Sequence, residues 1–131
     1  MKWYHWILPI TALAMAASGL IRWARAIAKA EGYYVPGSLP QRLNNPGSLK
    51  DPATGQLRVF PAPANGWAAL LTQLRLVLAG RSRYYRPDMT IAEFARIYTG
   101  GDKPDAWART VADELGVSPD TPVRDLVGAI A

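Results

Sequence analysis

Chemistry in this chain has to come from carboxylates, tyrosines and amides. Its 131 residues include 10 acidic side chains, 6 tyrosines, one histidine (His5) and no cysteine. Without cysteine there is neither a disulfide nor a thiolate zinc site. A lone histidine leaves out His-ligated metal clusters and most Ser/His or Cys/His nucleophilic machinery. The chemistry developed below needs no metal and no cofactor, and none is expected. The first acidic residue along the chain is Glu31. It ends the segment Leu20-Ile21-Arg22-Trp23-Ala24-Arg25-Ala26-Ile27-Ala28-Lys29-Ala30-Glu31-Gly32. At about 100° per residue, Leu20, Trp23, Ala24, Ile27 and Glu31 share one face, with Arg22, Arg25 and Lys29 opposite. Gly32 suits the position just past a helix end. A carboxylate on an apolar face is desolvated, and a helix C-terminus is the negative end of the dipole. Both effects favour the neutral acid. An acid still protonated near neutral pH is what glycosidic cleavage needs as its proton donor. The plainer alternative is a helix-end glutamate that reaches solvent past Gly32.

The elements that must position Glu31 follow from the pattern. After the helix over 20–32, residues 33–64 carry Pro36, Pro40, Pro46, Pro52, Pro61 and Pro63 with Gly37, Gly47 and Gly55, which excludes long helices. Short extended pieces at 47–50 and 57–60, joined by a turn through Asp51-Pro52-Ala53-Thr54-Gly55, predict a small irregular β-hairpin. Asn65 is placed to cap a helix over 66–79 with Trp67, Leu70, Leu71, Leu74 and Leu78 inward. Thr90-Ile91-Ala92-Glu93 has the capping-box pattern for a helix reaching Tyr98. Pro104 to Leu115 is a further helix, with Trp107, Val111 and Leu115 on one side. Thr121-Pro122 opens a short last one to about Ile130. The fold class is mainly α, a helical domain with a small β-hairpin after its first helix.

The run after Glu31 sharpens the reading. It continues Gly32-Tyr33-Tyr34-Val35-Pro36-Gly37-Ser38-Leu39-Pro40-Gln41-Arg42-Leu43-Asn44-Asn45-Pro46-Gly47-Ser48-Leu49. The chain resembles the lysozyme-like superfamily of peptidoglycan glycosidases, most of all small bacterial and phage lysozyme-like or lytic transglycosylase domains. It is also similar to the glucosaminidase group. In that group an aromatic strand leads into a glycine-started helix, here Arg58-Val59-Phe60 and Asn65-Gly66-Trp67. Tyr98, Asp102 and Trp107-Ala108 match later pieces, so the resemblance covers about 20–117. It implies an α+β lysozyme-like fold over 20–131, Glu31 as catalytic acid, and peptidoglycan glycan strands as substrate. Asn44 and Asn45 would fix the hairpin or hydrogen-bond sugar amides. Tyr98 would orient the reacting sugar or water, and Tyr34 and Trp107 would contact sugar rings. Each has a structural alternative: turn chemistry for the asparagines, core packing for the aromatics.

A second carboxylate would normally divide the work. Asp51 is better read as an Asx-turn residue, and Asp102 and Asp105 as loop and helix-start residues. With no second acid in the cleft, the substrate's N-acetyl group assists, or the muramyl 6-hydroxyl attacks to give a 1,6-anhydro sugar. The expected activity is cleavage of the β-1,4 bond between N-acetylmuramic acid and N-acetylglucosamine. The alternative is a non-catalytic peptidoglycan-binding or membrane-associated module of the same fold.

Charge and the N-terminal segment bear on location. The net charge is +5, which suits an anionic partner. Lys2 precedes the apolar stretch 3–21, and Ala14-Met15-Ala16 has the spacing of a signal-peptidase site. Residues 1–19 are therefore expected to be a signal peptide or an N-terminal membrane anchor, with membrane association through 3–21. A buried hydrophobic helix is the remaining reading. The domain is expected in the periplasm or cell envelope, secreted or anchored in the inner membrane. Arg81-Ser82-Arg83-Tyr84-Tyr85-Arg86 interleaves cations with aromatics, yet no helix-turn-helix, RNA-binding or phosphate-loop signature accompanies it. No nucleic-acid partner is expected.

Overall fold

The structure is a computed structural model that describes residues 18–127. The expected leader or anchor at 1–19 falls almost wholly outside the described residues, as does the end of the last predicted helix at Ile130. The molecule is mainly helical. Helix α1 occupies 18–30, α2 Leu39–Arg42, α3 Pro63–Leu78, α4 Ile91–Tyr98 and α5 Pro104–Leu115, and a 3-10 helix spans Val123–Val127.

The helices form where apolar period and end signals agree. On α1 the residues Leu20, Trp23, Ala24 and Ile27 are buried, while Arg22, Arg25 and Lys29 are exposed. On α4 both arms of the capping box are made: Glu93 N–H donates to the Thr90 hydroxyl at 3.1 Å, and Thr90 N–H to the Glu93 carboxylate at 3.2 Å. Helix α5 has the predicted bounds. Helix α3 starts earlier than Asn65 suggests, because Pro63 takes its first position with φ already set. Leu70, Leu74 and Val77 of α3 are buried, and Trp67, Leu71 and Leu78 pack on the core edge. The last helix is 3-10 rather than α, and Thr90 pairs with Pro122 in one antiparallel bridge. Helix α2 is one turn that the Pro-rich sequence did not announce; Pro40 takes its second position.

The β-hairpin expected after α1 is not supported. Only Lys50 and Leu57 form a bridge there, through Asp51 N–H to the Gln56 carbonyl and Arg58 N–H to the Leu49 carbonyl, each 2.8 Å. The ladder would next join Leu49 N–H to the Arg58 carbonyl. Asn45 takes both groups instead. Its Oδ1 accepts from Leu49 N–H at 2.9 Å, and its Nδ2 donates to the carbonyls of Arg58 and Leu49 at 3.0 and 2.9 Å. Ser48, at φ 47°, turns the chain away from an extended path. The segment between α1 and α3 is thus a side-chain-stapled loop.

Candidate active site

Glu31 is placed by the end of α1. Gly32 has φ 80°, Tyr33 N–H donates to the Ala28 carbonyl at 3.0 Å, and Gly32 N–H to the Lys29 carbonyl at 3.1 Å. This is the Schellman closure, and the left-handed residue it requires is the glycine. The carboxylate is half-buried. Trp107 on α5 donates its indole Nε1–H to Glu31 Oε2 at 2.6 Å. That bond joins positions 76 apart in sequence.

An aromatic layer supports this pair. Phe94 lies 4.2 Å from Tyr85, 5.6 Å from both Trp23 and Tyr98, and 6.1 Å from Trp107, ring centre to ring centre. Tyr98 and Trp107 are 4.9 Å apart. Rings at these separations attract one another and fix each other's planes. The Tyr98 hydroxyl donates to the Gly47 carbonyl at 2.6 Å and so ties α4 to the loop. Burial, then the Glu31 charge, then Tyr85 hold the Tyr98 hydroxyl well above its ordinary range, so it stays a neutral donor. Burial, helped by Glu31, pushes Tyr85 up to about 12.

Glu31 opens onto a groove of about 470 Å³. Its lining takes Ala106, Trp107 and Thr110 of α5 with Lys103 just before that helix, Ser48, Lys50 and Leu57 of the loop, and Tyr98 of α4. Asp102 lines this groove too, so a second carboxylate shares the Glu31 cleft. The sequence marked it only as a loop residue. A larger groove of about 820 Å³ lies on the other side of Ser48, Lys50 and Tyr98, which line both. It runs past Ala68, Ala69 and Thr72 of α3 to Tyr84, and takes in Asp51 and Arg58.

The remaining expected site residues divide by what their side chains touch. Asn45 is fully buried, and its amide is spent on the loop backbone. Asn44 has φ 54° and donates to the Phe60 carbonyl at 3.0 Å. Of the two roles open to them, fixing the loop is the one their hydrogen bonds perform, and neither lines a groove. Trp107 lines the Glu31 groove, packs against Phe94 and Tyr98, and donates its indole N–H to the carboxylate. Tyr34 is 51% exposed, edge-on to Tyr33, and outside both grooves. Asp51 is in an Asx turn, accepting from Ala53 N–H at 2.9 Å. Asp105 reaches neither groove. In the basic run, Tyr85 turns into the core, so its cations and aromatics do not form one surface.

What the sequence missed is the indole as a partner for Glu31, and Lys50 as a residue common to both grooves. A weak signal for the first was present: Trp107 begins the apolar stripe of α5. Among the described residues no group of His, Cys, Asp or Glu is clustered to hold a metal ion, and no helix is long and apolar enough to cross a membrane. Compared with known protein families, curated proteins and solved structures, the chain finds no match.

Proposed function

We propose that the protein is a peptidoglycan-cleaving glycosidase or lytic transglycosylase of lysozyme-like fold. It acts on the β-1,4 bond between N-acetylmuramic acid and N-acetylglucosamine. The observation that carries this is the Glu31 carboxylate, set by a helix end and an indole N–H at the side of an open groove bordered by the stapled loop. The resemblance of the 30–49 run to peptidoglycan glycosidases supports the same reading. An exported or envelope-anchored domain fits it, because the substrate lies outside the cytoplasm.

Glu31 gives its proton to the glycosidic oxygen as the bond from the anomeric carbon breaks, and the alcohol leaves neutral. The carboxylate then takes a proton from the incoming nucleophile. With water as nucleophile the product is a reducing sugar. With the muramyl 6-hydroxyl it is a 1,6-anhydro sugar. Asp102, in the same groove, gives the hydrolytic route a second carboxylate to hold the water. The Lys50 and Lys103 ammoniums line the same groove, where negative charge is left on Glu31 once its proton has gone.

The test is fragment release from purified peptidoglycan by wild type and Glu31→Gln. Removing the acid of a glycosidase is expected to lower the rate by about a hundredfold or more. Product mass separates hydrolysis from anhydro-sugar formation. Undiminished release by the variant removes Glu31 from the mechanism. Binding to peptidoglycan without turnover by wild type would leave the non-catalytic wall-binding module instead.

A further inference from the structure

Ser48, Lys50 and Tyr98 line both grooves, so the larger groove adjoins the one at Glu31. The two differ in charge. The Glu31 groove balances Glu31 and Asp102 against Lys50 and Lys103. The larger groove holds Lys50 and Arg58 against Asp51 alone. One oxygen of Asp51 is engaged by the Ala53 N–H. Among the described residues neither Lys50 nor Arg58 is in an ion pair. The Arg58 guanidinium rests 4.7 Å from the Phe60 ring centre, which orients it without neutralising it. An uncharged sugar has no use for two such cations. A peptidoglycan strand does, because every second sugar carries a lactyl ether that ends in a carboxylate or continues into a peptide bearing carboxylates.

We propose that the larger groove recognises the carboxylate-bearing edge of the glycan strand, with Lys50 and Arg58 as the anion-binding pair. This rests on the reading of the Glu31 groove as glycan-cleaving. It names the residues that would distinguish acidic glycan strands from neutral chitin-like ones.

The experiment is equilibrium binding in the full chain carrying Glu31→Gln, so that strands stay intact, with and without Lys50→Gln and Arg58→Gln. The probes are chitin oligosaccharides, glycan strands stripped of peptides by an amidase (lactyl carboxylates only), and uncrosslinked strands that keep their peptides. Losing two exposed cation–carboxylate contacts is expected to weaken binding of acidic strands about five- to tenfold, and chitin binding not at all. High salt should erase the difference. Loss on both acidic probes assigns the lactyl carboxylate as ligand; loss on peptide-bearing strands alone assigns a peptide carboxylate. Equal affinity for acidic strands, or an equal loss on chitin, overturns the proposal. Wild-type turnover of peptidoglycan is measured in parallel. Turnover with unchanged strand binding sinks only the anion site. Carboxylate-dependent binding without turnover keeps that site and sinks the enzyme reading.

Discussion

The hydrogen bond from Trp107 to Glu31 is the contact on which the site turns, because it fixes which carboxylate oxygen faces the groove. Trp107→Phe keeps a ring against Phe94 and Tyr98 but removes the donor. A hydrogen bond to a charged group contributes about 1.5–3 kcal/mol, so peptidoglycan release should fall about ten- to a hundredfold while the fold persists. Retained full activity would reduce Trp107 to a packing residue. At this scale the sequence was half informative. Periodicity isolated Glu31, the first acid along the chain, on the apolar face of the first helix. Residue type could not tell whether Asn44 and Asn45 face sugar or backbone, because the same amide serves both. The Trp107 contact depends on how α5 docks against α1, which no local pattern encodes.

Among the elements, helix ends were legible and the hairpin was not. Thr90 with Glu93, and Pro104 with Gly116, carry their signals locally, and the structure uses them. The hairpin failed because a side chain, that of Asn45, took the backbone groups that would have extended it. The loop is also locked to α3 at Gly66, where a methyl group in place of hydrogen would lie 1.8 Å from the Asn44 carbonyl oxygen. Neither backbone can yield without shifting the helix or the loop. Gly66→Ala should therefore cost about 3 kcal/mol, read as a lower urea midpoint, although alanine is the better helix former. A midpoint raised by the substitution would show that α3 and the loop are not in contact there.

For the whole molecule, the helical class followed from sequence because four amphipathic segments between Pro and Gly breaks leave little else to build. How they converge on Phe94 did not. That convergence has a measurable alkaline signature. Burial holds the Tyr85 hydroxyl up to about 12 in the folded state, against 10.0 for an unperturbed tyrosine. The folded protein keeps that proton longer than the unfolded chain does. The resulting stability is full below pH 10 and is lost as pH rises from there toward about 12. Urea midpoints should fall across that interval, and Tyr85→Phe should flatten the fall. An equally steep decline in the variant would place the effect elsewhere.

Time enters through the stapling contacts. Asn45 reaches 4 and 13 positions along the chain, Tyr98 reaches back 51 to Gly47, and Trp107 reaches back 76 to Glu31. Short-range closures form early, and the longest must wait for both partners to exist. During synthesis, each helix and the stapled loop can gather as it emerges, while the indole that sets Glu31 arrives only with α5. On a nascent chain the Glu31 carboxylate therefore lacks its indole partner until α5 has emerged.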